Sequence, residues 1–360
     1  MSEMTDASDA PESVDRKLYP EAVTPWDDPV WRSEALAWAG GVLRALGLRE
    51  SGARRVRVRP WSVLVRLAVA GGDGPVWFKA NPPGSRFEAG LGEALAGWVP
   101  GQVLTPLAVD TERGWSLLPD GGRRFVDVLD AGEAGAGAWE EMLGQYAELQ
   151  RSLLPYADRI ESLGVPGART AALPGVLDRL VTESGALTGE ERAVLDGLRP
   201  RVAEWCAELV ALGIGDGLDH ADLHEAQVFH APEKTPGTHR FAFFDWGDAL
   251  VSHPFCSFLV PARRAVDRYG PEFLPRLRDA YLEPWTATGV SLPELRRALA
   301  PAWRLGAIGR AGSWGRLFPG AAAGTDLENG TEIARWLLRL ADEPPLALAT
   351  PSPGRERSDS

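Results

Sequence analysis

The strings HADLHEAQ at residues 220–227 and FAFFDWGD at residues 241–248 decide how this chain is interpreted. All five histidines of the protein lie between His220 and His253, and carboxylates are interspersed among them. Phosphoryl transfer needs a carboxylate that orients and deprotonates a hydroxyl, together with oxygen ligands for a magnesium ion on the phosphates. The two strings hold side chains of both kinds, and they therefore predict a phosphate and metal centre.

The segment that joins the two strings predicts an antiparallel hairpin. Residues 227–230 and 240–244 each have the composition of a short strand, and the residues between them include two prolines and a glycine. An antiparallel pairing of these strands places Gln227 beside Asp245. Asp222 stands five residues before Gln227, so a base and two oxygen ligands meet at one end of the hairpin.

Two other interpretations fit the same window. His220, Asp222 and His224 recur at every second position, which on a strand places all three on one face, as in a zinc-dependent hydrolase. A fourth ligand at a standard zinc spacing is missing from this pattern. The histidines could instead hold a polar loop together by hydrogen bonds alone. The coincidence of the five-residue spacing, the hairpin and the string Asp-Trp-Gly argues against that purely structural role.

The two strings resemble those of the aminoglycoside phosphotransferase family of small-molecule kinases, in which the first string is usually His-Gly-Asp-Leu-His, two residues and Asn. The two strings are the specific part of the resemblance, which extends more weakly over about residues 55–340. The resemblance implies an α+β, bilobal, protein-kinase-like fold. A small antiparallel-sheet N-lobe and a larger, mostly helical C-lobe would enclose ATP in the cleft between them.

The resemblance also implies roles for individual residues. Asp222 would be the base-like catalytic residue that faces the acceptor hydroxyl, and His220 would brace the catalytic loop. Asp245 would be the main magnesium ligand, and Gln227 would be a second ligand at the position of the family's asparagine. The implied cofactors are ATP and Mg2+.

The first third of the chain has a compatible pattern. Residues 76–79 read as a strand that ends in Lys79, one of only three lysines beside 35 arginines. The resemblance assigns Lys79 to the ATP phosphates and Glu88 to its ion pair, with Glu93 as the alternative. Leu118 looks like part of the hinge that offers backbone groups to adenine.

Four positions depart from the family's pattern. Gln227 replaces an asparagine, and residues 252–254 read Ser-His-Pro where the family often has Gly-Asp-Pro. Ser257 stands where a later aspartate is usual, and Arg-Pro-Trp at residues 59–61 replaces a glycine-rich turn. These departures leave open a second function, that of a non-catalytic nucleotide-binding pseudokinase.

The sequence predicts four regions along the chain. Residues 1–22 and 343–360 are polar or proline-rich and are expected to be disordered tails. Residues 23–119 are expected to form the N-lobe, and residues 120–342 the helical C-lobe with the catalytic loop and the substrate site. The boundary follows from the break Pro-Asp-Gly-Gly at residues 119–122.

Composition limits the partners. The formal net charge of -12 argues against a general nucleic-acid binder, and no apolar run is long enough to span a membrane. Two cysteines imply no disulfide framework, and a cytoplasmic location is expected. The predicted partner is a small hydroxylated substrate, with aminoglycosides, other antibiotics, amino alcohols and sugars among the candidates. Trp314 is the predicted substrate contact, and the oligomeric state is left unpredicted.

Overall fold

The computed structural model describes residues 11–231, 239–314, 318 and 323–346. The N-terminal part of this described chain contains eight strands and two helices. The strands are β1 (Glu12–Asp15), β2 (Arg49–Glu50), β3 (Arg54–Arg59), β4 (Ser62–Leu67), β5 (Val69–Ala70), β6 (Val76–Ala80), β7 (Ala108–Asp110) and β8 (Trp115–Pro119). The helices are α1 (Pro29–Ala45) and α2 (Phe87–Trp98).

Six of these strands form one sheet in the order β1-β3-β4-β6-β8-β7, while β2 and β5 pair separately. The pair β1–β3 is parallel and the other pairs of the sheet are antiparallel. Side chains alternate between the two faces of each strand, so each face has its own composition. One face packs on α1 in a buried cluster that includes Val56, Val58, Val63, Val65 and Phe78.

The opposite face of the sheet is charged. Arg57 of β3 lies in register with Leu64 of β4, and Leu64 lies in register with Lys79 of β6. The row continues to Ser116 of β8. Because most apolar residues of these strands pack against α1, this second face is left for a site.

The C-terminal part is mostly helical. Its helices are α3 (Phe125–Asp130), α4 (Ala136–Leu153), α5 (Ala157–Ser162), α6 (Leu173–Glu183), α7 (Gly189–Ala211), α8 (Leu259–Tyr269), α9 (Leu274–Leu282), α10 (Leu292–Ser313) and α11 (Ala323–Leu338). Its strands are β9 (Gly217–Asp219), β10 (Val228–His230), β11 (Phe241–Phe243) and β12 (Leu250–Ser252). A helical region after an antiparallel sheet confirms the predicted α+β class.

Two short strand pairs carry the sequence strings. The strands β10 and β11 form the predicted antiparallel hairpin, with Val228 opposite Phe243. The strand β9 pairs with β12, which places Asp219 opposite Leu250. Both pairs lie on a core whose fully buried aromatic residues include Trp139, Tyr146 and Phe255. The pairs therefore hold the loops that follow them on a rigid base.

The predicted N-terminal tail is partly wrong. Within residues 1–22 the structure places β1, which runs parallel to β3 from Glu12 to Asp15. The backbone N–H of Arg54 donates to the carbonyl of Pro11 at 2.8 Å, and the guanidinium of Arg59 reaches Asp15. Without β1, the edge of β3 would expose unpaired backbone groups, so the pairing satisfies them. Residues 1–10 lie outside the described residues.

Other predictions about the chain's organisation have mixed outcomes. The break predicted after Pro119 coincides with the end of β8, and the division into lobes at residues 23–119 and 120–342 stays a prediction. The helix α10 continues through Gly312 to Ser313, directly before Trp314. Of the predicted C-terminal tail, residues 347–360 lie outside the described residues. No helix in the described ranges is long and apolar enough to cross a membrane.

Candidate active site

His220 connects the two sequence strings. It follows β9, is fully buried, and its Nε2 lies 3.0 Å from the carbonyl oxygen of Phe244. Since a carbonyl only accepts, Nε2 carries the proton in this contact. The backbone N–H of His220 donates to the Tyr146 hydroxyl at 3.1 Å. His220 thus fixes the loop before Asp222 against the segment before Asp245.

Asp219 is a buried carboxylate that the sequence analysis missed. It accepts hydrogen bonds from the Ala221 N–H at 2.7 Å, from Ser257 Oγ at 2.5 Å and from Ser252 Oγ at 2.9 Å. Burial raises the pKa of this carboxyl, although the three donors oppose the shift. Ser257 and Asp219 together brace the loop. In the family's pattern an aspartate is usual at the position that Ser257 occupies here. The sequence offered one signal for this residue, because Asp219 directly precedes the string that begins at His220.

Asp222 has both carboxylate oxygens engaged. Its Oδ1 lies 2.7 Å from a guanidinium nitrogen of Arg310 on α10, and its Oδ2 accepts from Gln227 Nε2 at 3.1 Å. Arg310 also contacts Asp248 at 3.0 Å and is 9% exposed. Burial raises the pKa of Asp222, and the charge of Arg310 acts in the opposite direction. The arrangement holds this carboxylate in one orientation.

Trp314, the predicted substrate contact, packs against this cluster. The guanidinium carbon of Arg310 lies 5.6 Å from the Trp314 ring centroid and 5.8 Å from that of Trp336. The indole N–H of Trp314 is buried without a hydrogen-bond partner among the described residues. Trp314 therefore reaches Asp222 through Arg310, and its contact with a substrate stays a prediction. The sequence analysis missed Arg310 because no local pattern distinguishes it from the other arginines of α10.

Lys79 joins the sheet to the second string. Its Nζ lies 2.7 Å from Glu88 and 2.5 Å from Asp245, whereas Glu93 is exposed on the other side of α2. Burial works against the charge of Lys79, but the two carboxylates raise its pKa overall. Burial likewise acts to raise the pKa of Asp245, yet the charges of Lys79 and Arg57 hold it at about 2. Both groups are therefore ionised at neutral pH.

Gln227 and Asp245 provide the oxygen atoms that a divalent cation prefers. Gln227 lies opposite Phe244 in the hairpin, since the N–H of Phe244 donates to its carbonyl at 3.1 Å. Its side-chain Oε1 is buried and has no hydrogen-bond partner in the described part of the chain. An unsatisfied buried amide oxygen near a carboxylate fits a hard cation such as Mg2+. Glutamine at this position is compatible with the predicted metal site.

Comparison with known proteins gives a structural match only. No protein-family profile and no curated protein sequence matches the chain. The GDP complex of wild-type aminoglycoside 2'-phosphotransferase-IIIa is similar with a TM-score of 0.52 and 14% identity, over 84% of this chain and 98% of that one. An ethanolamine kinase of Plasmodium vivax is similar with a TM-score of 0.51 and 12% identity, over 80% of each chain.

A third similar structure is that of an amicoumacin kinase bound to AMP-PNP and Ca2+, with a TM-score of 0.50 and 12% identity over 80% of this chain and 87% of that one. These structures share one architecture. The chain has the protein-kinase-like fold. At such identities the likeness establishes the fold, and the roles of single residues have to be argued from this chain's own geometry.

Three non-glycine residues in the described part of this kinase-like chain have a positive φ, and two of them, Ala221 and Asp245, belong to the two sequence strings. Asp245 has φ 68° and Ala221 has φ 60°. Such values cost an ordinary residue about 1 kcal/mol or more and persist only where the surroundings enforce them. At Ala221 the family's string usually has glycine, which adopts this conformation without strain. One of these positions directly precedes Asp222, and the other is Asp245 itself, the predicted metal ligand.

The zinc-hydrolase interpretation assumes that three residues share one face of a strand, and in this kinase-like chain that assumption is wrong. His220, Asp222 and His224 do not lie on a strand, because the chain turns at Ala221 directly after β9. His224 instead begins the helical turn Glu225–Gln227, where its Nδ1 accepts from the Ala226 N–H at 3.2 Å. No group of three or more potential metal-ligating side chains was found among the described residues.

The predicted hinge lies at the end of the sheet of this kinase-like chain. Leu118 of β8 is paired with Trp77 of β6, and its contact with adenine stays a prediction. Beyond it, the Gly121 backbone packs on Phe229, since a Cβ built there would lie 2.3 Å from the ring. Phe229 stacks on Phe244, with 4.3 Å between the two ring centroids. The sequence analysis missed this aromatic pair, although both residues stand in the quoted hairpin.

Proposed function

We propose that this chain is an ATP-dependent phosphotransferase that acts on a hydroxyl group of a small molecule. The observation that carries the proposal is the convergence of Asp222, Gln227, Asp245 and Lys79: Gln227 contacts Asp222, Lys79 contacts Asp245, and the N–H of Phe244 joins the two pairs through the Gln227 carbonyl. The solved relatives in fold are described as kinases or phosphotransferases of ethanolamine, aminoglycosides and amicoumacin. The acceptor of this chain is a small hydroxylated molecule, and antibiotics are the first compounds to screen.

Asp222 would orient the acceptor hydroxyl and take its proton. Each carboxylate oxygen has two lone pairs, so the contacts with Arg310 and Gln227 leave acceptor capacity for the hydroxyl. His220 holds the loop at its start through Phe244. Such fixed orientation removes rotational freedom that the reaction would otherwise have to lose.

Lys79 would contact the phosphate groups of the nucleotide, and Glu88 keeps its ammonium in place. Asp245 and the free Oε1 of Gln227 would hold the magnesium ion. When bound, this ion neutralises charge on the phosphates and stabilises the charge that develops in phosphoryl transfer. The protein's contribution would then be positioning and charge complementarity.

Substituting the two aspartates separately tests this assignment. We expect Asp222→Asn to lower kcat by about 100-fold or more while Mg-ATP still binds, because the amide cannot accept the proton. We expect Asp245→Asn to weaken Mg-ATP binding itself, measured by calorimetry. Near-normal turnover of Asp222→Asn with a phosphorylated acceptor would show that Asp222 is not the base. Unchanged nucleotide affinity of Asp245→Asn would contradict its role as a metal ligand.

The non-catalytic nucleotide-binding protein is the second candidate. It is favoured by Gln227 in place of asparagine and by the engagement of both Asp222 oxygens within the chain. Gln227→Asn separates the two candidates. A wild type without turnover whose Gln227→Asn variant gains it would support a decayed site, whereas an active wild type would exclude it.

A further inference from the structure

The turn between β3 and β4 is poorly suited to hold phosphate. It consists of Arg59, Pro60 and Trp61, and Arg59 pairs directly with Ser62. Turns that cradle phosphate do so with successive backbone N–H groups and with glycines that allow close approach. This turn has no glycine, and Pro60 has no N–H to donate. If a nucleotide binds under this sheet, its phosphates need another partner.

The face of the sheet that carries Lys79 offers arginines instead. Arg59 is already used, since its guanidinium donates to the Asp15 carbonyl at 2.9 Å and lies 3.3 Å from the Asp15 carboxylate. Arg66 lies over the Trp77 ring, with its guanidinium carbon 6.0 Å from the centroid. The guanidinium of Arg57 has no hydrogen bond or ion pair with any residue in the described ranges, although its backbone pairs with β1 and β4. It is the free cation in the same row as Lys79.

The surroundings of Arg57 are those of an anion site. Neighbouring atoms remove part of the hydration of the Arg57 guanidinium and lower its pKa although the side chain is exposed, while the carboxylate of Asp245 acts in the opposite direction. Arg59 and Arg124 add to the lowering, and Asp15 weakly opposes it. In return, the charge of Arg57 helps to lower the pKa of Asp245. A partly dehydrated guanidinium without a counter-ion, near the metal-site carboxylate, favours a bound anion.

We propose that Arg57 binds the phosphate groups of the nucleoside triphosphate, so that a guanidinium side chain replaces the backbone N–H groups of a glycine-rich turn. The register places Arg57 two strands from Lys79 on one face, a separation of roughly 10 Å between backbones. Two cations at that spacing can contact different phosphates of one chain. A guanidinium donates two parallel hydrogen bonds to phosphate oxygens, which a single ammonium cannot do. The proposal rests on the proposed function.

Arg55 provides a matched control. It lies on the same strand and the same face, it is exposed like Arg57, and it pairs with Arg66 in the adjacent row. We would measure binding of Mg-ATP, inorganic tripolyphosphate and adenosine by calorimetry to the full chain and its Arg57→Ala, Arg57→Lys and Arg55→Ala variants. The unliganded midpoint of thermal unfolding shows that each variant is folded. Both substituted side chains are exposed, so we expect these midpoints to agree.

The expected result is a loss of affinity that is confined to ligands with phosphate groups. Arg57→Ala should weaken binding of Mg-ATP and tripolyphosphate by about 10-fold or more, because charge-assisted hydrogen bonds are lost. Arg57→Lys should recover part of that loss, while adenosine binding and the Arg55→Ala variant should stay within about 2-fold of the wild type.

Two outcomes overturn the proposal. Wild-type affinity of Arg57→Ala for Mg-ATP and tripolyphosphate, or an equal loss in Arg55→Ala, would remove the inference and leave the proposed function standing. A wild type that binds neither Mg-ATP nor Mg-GTP would remove the proposed function, and this inference with it.

Discussion

At the residue scale, the site depends on partly buried charges that neutralise each other. Asp222 and Asp248 share Arg310, and Lys79 is shared by Glu88 and Asp245. Removing one partner from such a cluster leaves a partly dehydrated charge without compensation, which destabilises the folded chain. These contacts therefore determine both the orientation and the protonation of the side chains that would do the chemistry.

Arg310 is expected to act as a positioning residue for Asp222. Its charge opposes the effect of burial on the pKa of Asp222, which already lies above its ordinary value. Loss of Arg310 should raise that pKa further, so the carboxylate would protonate at higher pH and the acid limb of the rate profile would move upward. We expect kcat to fall by about 10-fold or more in Arg310→Lys and Arg310→Met. The fall should be smaller in Arg310→Lys, which keeps the positive charge.

Arg296→Met is the control for this prediction, because Arg296 lies on the same helix and pairs with Asp279 at 2.6 Å. The measurement is kcat and KM against pH for all three variants. An acid limb of Arg310→Met that coincides with that of the wild type would contradict the role of Arg310, since a purely structural residue would leave the limb in place.

At the element scale, the strand β1 has an importance that its sequence does not show. Three of its four residues, Glu12–Asp15, are polar and they lack an alternating pattern, so the sequence could not predict a strand. The pairing comes from the backbone and from the demand of β3 for a partner. The strands β3, β4 and β6 were predictable, because each alternates between residues buried on α1 and residues on the charged face.

Removal of β1 should weaken the sheet that carries Arg57 and Lys79. A chain that begins at residue 17 loses the parallel pairing with β3 and the contact of Arg59 with Asp15. We expect a free energy of unfolding lower by roughly 2 kcal/mol and self-association through the exposed edge. Urea unfolding and light scattering measure these effects, with a chain that begins at residue 11 as the control. Equal stability of both truncated chains would show that β1 is dispensable.

At the scale of the whole molecule, long-range contacts limit what the sequence could predict. The hairpin brings Gln227 to Asp245 by a short local connection, and that juxtaposition was predictable. Arg310 reaches Asp222 from a helix near the end of the chain, and no local pattern encodes that packing. Asp219 lay next to the quoted string, but its role depends on Ser252 and Ser257, which only the fold brings close.

His253 should make the stability of the whole molecule depend on pH. It is 1% exposed, its Nδ1 accepts from the Phe255 N–H at 3.2 Å, and burial lowers its pKa to about 3. The unfolded chain has an ordinary histidine pKa of about 6.5, so it binds the extra proton between these values. The free energy of unfolding should therefore fall as pH decreases from about 6.5 toward 3, by up to roughly 1.4 kcal/mol per unit.

The variant His253→Gln isolates this contribution, because its amide oxygen can still accept from Phe255 while it does not titrate. Urea unfolding from pH 7.5 to 4 should give a shallower slope for the variant than for the wild type. His224 and His230, whose pKa values burial also lowers, titrate in both proteins and cancel in the difference. Parallel curves would show that His253 is not the source.

The ion pairs of Lys79 have a consequence for covalent labelling. Acylating reagents attack only the neutral amine, and Glu88 and Asp245 keep this ammonium protonated. Of the two lysines that the structure describes, Lys17 is exposed and open to such reagents, while Lys79 is shielded. A nucleotide analogue that carries an electrophile in place of its terminal phosphate would hold it beside Lys79, where the high local concentration offsets the small neutral fraction of the amine. In a chain with so few lysines, mass spectrometry could then report nucleotide occupancy from a single modified peptide with little background.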